Sequence, residues 1–117
     1  DHINAHATST PEGDKAELEA IRTILGEGSR ASVTATKGAI GHTLGAAGGL
    51  GSIATICAMR DGRVHPTLNL TAPDPASVGL NIVTGAPAAQ QVKLALVNAF
   101  GFGGQNSALL FAKWEGK

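Results

Sequence analysis

Residues Gly41 to Arg60 form a long apolar stretch that also holds Gly45, Gly48, Gly49 and Gly51. Leu44, Ala47, Leu50, Ala54 and Ala58 recur every three to four residues, the spacing of one helix face. Each interior glycine costs a helix about 0.8–1 kcal/mol relative to alanine. Several together must be offset by tight packing, so the stretch reads as a buried helix in close contact with its neighbours. Asp61-Gly62 ends it. The chain has three Phe, one Trp and no Tyr, so its core must be built from Ala, Val, Ile and Leu.

The elements around this helix follow from local signals. Residues 2 to 5 (HINA) read as a short strand, and its abrupt start implies further chain upstream. Thr8-Ser9-Thr10-Pro11 reads as a polar loop. The segment after Asp14 carries Ala16, Leu18, Ala20, Ile21, Ile24 and Leu25 on a helical face. Asp14 is placed to cap that helix, with Glu17 completing a capping box and Gly26 or Gly28 ending it. Ser32 to Thr36 is β-branched enough for a strand. Pro66, Pro73 and Pro75 mark an extended, turn-rich connection over 63 to 79. Leu80 to Val83, Val92 to Asn98 and Ser107 to Trp114 read as strands, the last two joined by the turn FGFGG. The order is β-α-β-α-loop-β-β-β, an α/β or α+β chain.

Composition excludes several functions. With 43% apolar residues the chain is too apolar for disorder. Nine basic against nine acidic residues argues against a nucleic-acid binder and a polybasic membrane anchor. No apolar run reaches the roughly 18 residues of a membrane span. The opening DHINAH shows neither the basic nor the apolar region of a signal peptide. A single Cys excludes an internal disulfide framework and a Cys-rich zinc site, and a cytoplasmic location is expected.

Polar residues beside small ones stand out in His6, in Lys37 and His42, and in the run Asn98 to Asn106. Such positions, at strand ends and turns, are where sites gather. Each alone is a weak signal, and His2 and His65 keep the ordinary structural reading. FGFGG is no dinucleotide loop, because the third glycine of that fingerprint is missing and a strand follows.

Taken in order, the motifs NAH-x-TSTP-x-GD, TK-x4-GH-x-LGAAG, HPTLNL-x-x-PDP and N-x-FGFGGQN resemble the C-terminal part of β-ketoacyl-acyl carrier protein synthases, closest to the I/II type. The resemblance runs essentially end to end. It implies a thiolase-like half-fold, a mixed sheet flanked by helices, with residues 1–117 as the C-terminal domain. It also implies decarboxylative Claisen condensation of an acyl thioester with malonyl-acyl carrier protein, as in fatty acid elongation. Matched motif to motif, His6 and His42 resemble the two catalytic histidines and Lys37 the active-site lysine. Two neutral imidazoles can donate to a thioester oxygen as an enolate develops. A lysine cation would disfavour an imidazolium nearby. Thr8 and Thr10 match hydroxyls on the phosphopantetheine arm. Phe102 matches a gating residue whose backbone N–H is a second oxyanion donor, freed to move by Gly101, Gly103 and Gly104.

The family's nucleophilic cysteine lies in an N-terminal half that these residues do not include. Cys57 sits inside the glycine-rich helix, too far along it to meet His42, and reads as a small buried hydrophobe. The resemblance therefore implies that the isolated chain is inactive and that its partners are the N-terminal half, an acyl carrier protein and a second subunit of a homodimer. No metal or redox cofactor is implied, because the pantetheine arm arrives with the substrate. Three positions depart from the usual pattern: Ala7 stands for Gly, Ala99 for Ser, and Gly51 for a Glu that connects to the lysine. Losing that acid should alter the charge balance at Lys37. Alternatives are a polyketide condensing enzyme, a non-catalytic subunit like a chain-length factor, and a binding-only scaffold.

Overall fold

The computed structural model describes residues 1–116. The chain runs β1 (His2–Ala5), α1 (Pro11–Leu25), β2 (Ser32–Ala35), the single turn α2 (Lys37–Ile40), α3 (Ala47–Asp61) and β3 (Arg63–Val64). It continues with β4 (Asn81–Ile82), β5 (Ala88–Ala89), β6 (Leu94–Phe100) and β7 (Asn106–Ala112). Five strands make one sheet in the order β4-β2-β1-β6-β7. Its first four strands are parallel, and β7 closes it antiparallel to β6.

Strand alternation sorts the two faces of this sheet. Ile3 and Ala5 of β1, Val33 of β2 and Leu96 of β6 point to one side and pack on Ile21 and Leu25 of α1. The opposite face carries His2, Asn4, Ser32 and Thr34, all buried, and α3 lies against it through Gly51 and Thr55. A second apolar cluster (Met59, Val64, Val83, Val92 and Ala95) closes the far end of that side. The sheet is thus apolar toward α1 and partly polar toward α3. A buried polar row of this kind persists only if its hydrogen bonds are made internally.

The glycines of α3 divide into two groups. A Cβ at Gly48 would touch the Ala99 methyl, and one at Gly51 would touch Val97, each at 3.4 Å, so here the helix backbone rides directly on β6. Gly49, like Gly45 in the turn before the helix, faces open space. The close packing expected of the whole stretch therefore holds on one side only, and Ile53 and Ile56 are exposed. The helix also begins later than its apolar pattern implies. Residues 41 to 46 form a loop and a short 3-10 turn (Leu44–Ala46), because Gly41 and Leu44 adopt left-handed backbone that interrupts an α-helix.

α1 starts at Pro11 rather than after Asp14, with proline in its first turn, where a missing N–H costs nothing. Asp14 accepts from Ser9 N instead of capping, and Glu17 does not turn back to form the expected capping box. Gly26 closes the helix and Gly62, in left-handed conformation, closes α3. The short strands β3 and β5 form a separate antiparallel pair that periodicity did not reveal, since two residues hold no repeat. Among the described residues no helix is long and apolar enough to cross a membrane.

Candidate active site

β1 ends at Ala5, and His6 follows it at the carboxyl edge of the sheet. β2 delivers Lys37 at the same edge, and the loop after α2 returns with His42. The hairpin between β6 and β7 folds over from the other side. The result is a cleft of about 750 Å³ lined by His6, Thr8, Thr10, His42, Phe100 and Phe102, with small residues such as Gly45, Gly48 and Ala99 between them. That volume lies in the range of small-molecule sites.

His6 and His42 stand edge to face, ring centroids 5.9 Å apart. Each ring is held by a backbone donor. Phe100 N donates to His6 Nδ1 at 3.2 Å, and Leu44 N donates to His42 Nδ1 at 3.1 Å. A backbone N–H can only donate, so Nδ1 of each neutral ring must accept. The remaining ring proton therefore sits on Nε2 in both. Leu44 reaches His42 because its backbone is left-handed, with φ of 51°. Ala7 and Ser9, which flank the same cleft, are left-handed as well. Such non-glycine conformations cost on the order of 1–3 kcal/mol each and gather where surrounding structure overdetermines them. At Ala7 a glycine, the residue that the resemblance implies there, would carry no such strain.

Lys37 lies behind His6 rather than on the cleft wall. Its Nζ donates to the His6 carbonyl and stands 3.5 Å from His6 Nδ1. Burial holds the His6 imidazole below its ordinary pKa, and the Lys37 cation lowers it further. His42 adds to this depression, while Glu17 and Asp14 oppose it. Burial lowers Lys37 too, partly offset by Glu17 and Asp14. The acids facing Lys37 thus come from α1. Gly51, at the position of the missing glutamate, faces Val97 and Asn4 instead.

Glu17 is a site residue that its place in the sequence disguised as a cap. Only 6% exposed, its carboxylate accepts from His6 N at 2.8 Å, Ala7 N at 2.9 Å and Asn98 Nδ2 at 2.9 Å. It therefore ties α1 to the turn after β1 and to β6. The available signal was an acid on the buried side of a helix, four residues before Ile21, since unpaired acids are almost never buried.

Phe102 projects from the hairpin tip, 92% exposed, between Gly101 and Gly103. Thr8 and Thr10 face each other across 3.4 Å at the opposite rim. Cys57 takes no part. It is half-buried rather than buried, and lines a separate cavity of about 350 Å³ with Thr36, His65 and Leu68.

Residues 1–71 match the family described as beta-ketoacyl synthase, C-terminal domain, and the chain belongs to it. Its fold is thiolase-like.

Individual relatives narrow the likeness. The 3-oxoacyl-[acyl-carrier-protein] synthase 2 of Mycobacterium tuberculosis (strain ATCC 25618 / H37Rv) is 47% identical over 97% of this chain and 27% of its own length. A crystal structure of a beta-ketoacyl synthase from Burkholderia phymatum STM815 superposes with a TM-score of 0.90 at 40% identity, over 97% of this chain and 28% of that one. A type II polyketide ketosynthase in complex with its acyl-carrier protein gives 0.88 at 32% identity, over 95% of this chain and 27% of that one. The chain therefore spans about a quarter of the length of the relatives it matches.

Proposed function

We propose that this chain supplies the histidine-bearing half of a ketoacyl synthase that condenses an acyl thioester with a malonyl thioester carried on acyl carrier protein. The observation that supports it is the pair of imidazoles, 5.9 Å apart, whose Nε2 protons are left free by backbone bonds to both Nδ1 atoms. A cysteine outside these residues holds the acyl group as a thioester. The malonyl thioester enters with its carbonyl oxygen between His6 and His42. Its carboxylate leaves as CO2, and the electron pair of the broken C–C bond passes into the enolate. The two N–H donors stabilise the oxygen that becomes negative. The enolate carbon then attacks the acyl carbonyl and forms the new C–C bond. The cysteine sulfur leaves as thiolate. These steps call for no metal or redox group.

Lys37 keeps His6 unprotonated by placing a cation beside it. Thr8 and Thr10 are placed to hydrogen-bond the pantetheine arm. Phe102, flanked by Gly101 and Gly103, is placed to gate the cleft and to offer its N–H to the acyl oxygen. The acyl carrier protein, the N-terminal half and a second subunit complete the assembly. Higher identity to the acyl-carrier-protein synthase than to the polyketide ketosynthase, 47% against 32%, favours fatty acid elongation over polyketide assembly.

The test is to incubate the full-length protein with acyl- and malonyl-carrier thioesters. The reading predicts β-ketoacyl thioester and CO2 in equal amounts. A protein that releases no CO2 and makes no β-ketoacyl thioester would contradict it, and the absence of a cysteine at the upstream nucleophile position would then favour a non-catalytic subunit.

A further inference from the structure

The polar face of the sheet converges on Asn4, a residue with no part in the chemistry above. Its side chain is 2% exposed beneath α3. A buried carboxamide is costly unless its bonds are made. Nδ2 lies 2.6 Å from Thr36 Oγ1, 3.2 Å from Gly51 O and 3.4 Å from Thr55 Oγ1, while Oδ1 accepts from the Thr36 hydroxyl at 3.0 Å. One side chain thus joins β1, the start of α2 and the second and third turns of α3. Those are the segments that lead to His6, carry Lys37 and follow His42.

Thr36 is the informative partner. It occupies the N-cap position of α2, where a threonine hydroxyl ordinarily bonds its own helix. Here it makes no such bond and is turned to Asn4. α2 is one turn of four residues, too short to hold its own geometry. Its place must be set from outside, by Asn4 at its start and by Asn69 Nδ2, which donates to Gly38 O at 2.9 Å. Lys37 is the residue next to Thr36.

We propose that Asn4 is a positioning residue: by holding the Thr36 hydroxyl it fixes the first turn of α2, and so keeps the Lys37 ammonium against His6. Its consequence for condensation rests on the function proposed above. Its consequence for His6 does not. The groups facing that ring are Lys37 from α2, Glu17 and Asp14 from α1, and His42 from the following loop. Of these, Lys37 is the one that stands next to Thr36 in the chain.

Diethyl pyrocarbonate acylates unprotonated imidazole, so its rate at His6 against pH, read by peptide mapping, reports the protonation of that ring. In the full-length protein, Lys37→Met should move the midpoint to higher pH, because a neighbouring cation is lost. Thr36→Val, which keeps the shape and removes the hydroxyl, should move it in the same direction. The double variant should move it no further, and Thr36→Ser should match the parent. Condensation by Thr36→Val should fall by up to about 100-fold, the cost of a displacement near 1 Å. Asn4→Ala should repeat the shift, and Thr36→Val carries the test if that variant does not fold. An unmoved midpoint in Thr36→Val beside a moved one in Lys37→Met would overturn the proposal. So would an unmoved midpoint in both, or a Thr36→Ser shift as large as that of Thr36→Val. A parent protein with the predicted His6 shifts but no turnover would sink the condensing function and leave the role of Asn4 standing.

Discussion

A neutral imidazole has one proton to give, and its neighbours decide from which nitrogen. At His6 and His42 backbone donors settle the matter. His2, four residues from His6, meets a different fate. It is 1% exposed, its Nε2 lies 2.9 Å from Thr34 Oγ1, and that hydroxyl continues to His65 Nε2 at 3.3 Å. Burial, then the proximity of His65, lowers its pKa from 6.5 to about 4. The folded state therefore keeps His2 neutral where the unfolded chain protonates it. Stability from this residue is complete above pH 6.5 and is lost as pH falls toward 4. The loss should reach roughly 3 kcal/mol. Urea unfolding from pH 7 to 4 should show that slope, and His2→Gln should flatten it; an equal slope in the variant would contradict the account. The site histidines were legible in the sequence because their neighbours form motifs. The donors that orient them were not, because the N–H groups of Leu44 and Phe100 belong to the backbone and leave no mark in residue identity.

At the scale of elements, the strands and the two long helices were legible wherever a face is repeated. HINA alternates, and α1 carries Leu18, Ile21 and Leu25 at helical spacing. What failed was decided by single contacts. Glu17 lies in a position that suits a cap, yet the helix starts earlier, and the carboxylate is spent on the turn that carries His6. Likewise the apolar pattern runs back past the true start of α3, because left-handed Leu44 reads in sequence as one more apolar residue. Glu17→Ala would leave half-buried donors on His6, Ala7 and Asn98 without their acceptor. Unmet donors of this kind cost on the order of 1–3 kcal/mol each, so denaturation should show a loss of about 3 kcal/mol. A loss under about 0.5 kcal/mol, as expected of an exposed residue, would show that the carboxylate does not brace the turn.

Across the whole molecule, apolar surface remains open. Leu109 and Leu110 on the edge strand β7, Leu94 on β6 and Ile53 and Ile56 on α3 are exposed. An edge strand with exposed leucines is a template for pairing with another chain. The 117-residue chain alone should self-associate in sedimentation experiments as concentration rises, and Leu110→Lys should reduce it; a monomer at all concentrations would contradict this reading.

The central claim is that His6 and His42 act as one device on one oxygen. Its most direct test is release of CO2 from malonyl-carrier thioester by the full-length protein and by His6→Ala, His42→Ala and the double variant. Each single change should lower the rate about 10²–10³-fold. The double variant should be little slower than either, because groups acting as a unit fail together. A single variant at the parental rate, or losses that multiply in the double variant, would show that the two imidazoles do not share an oxyanion.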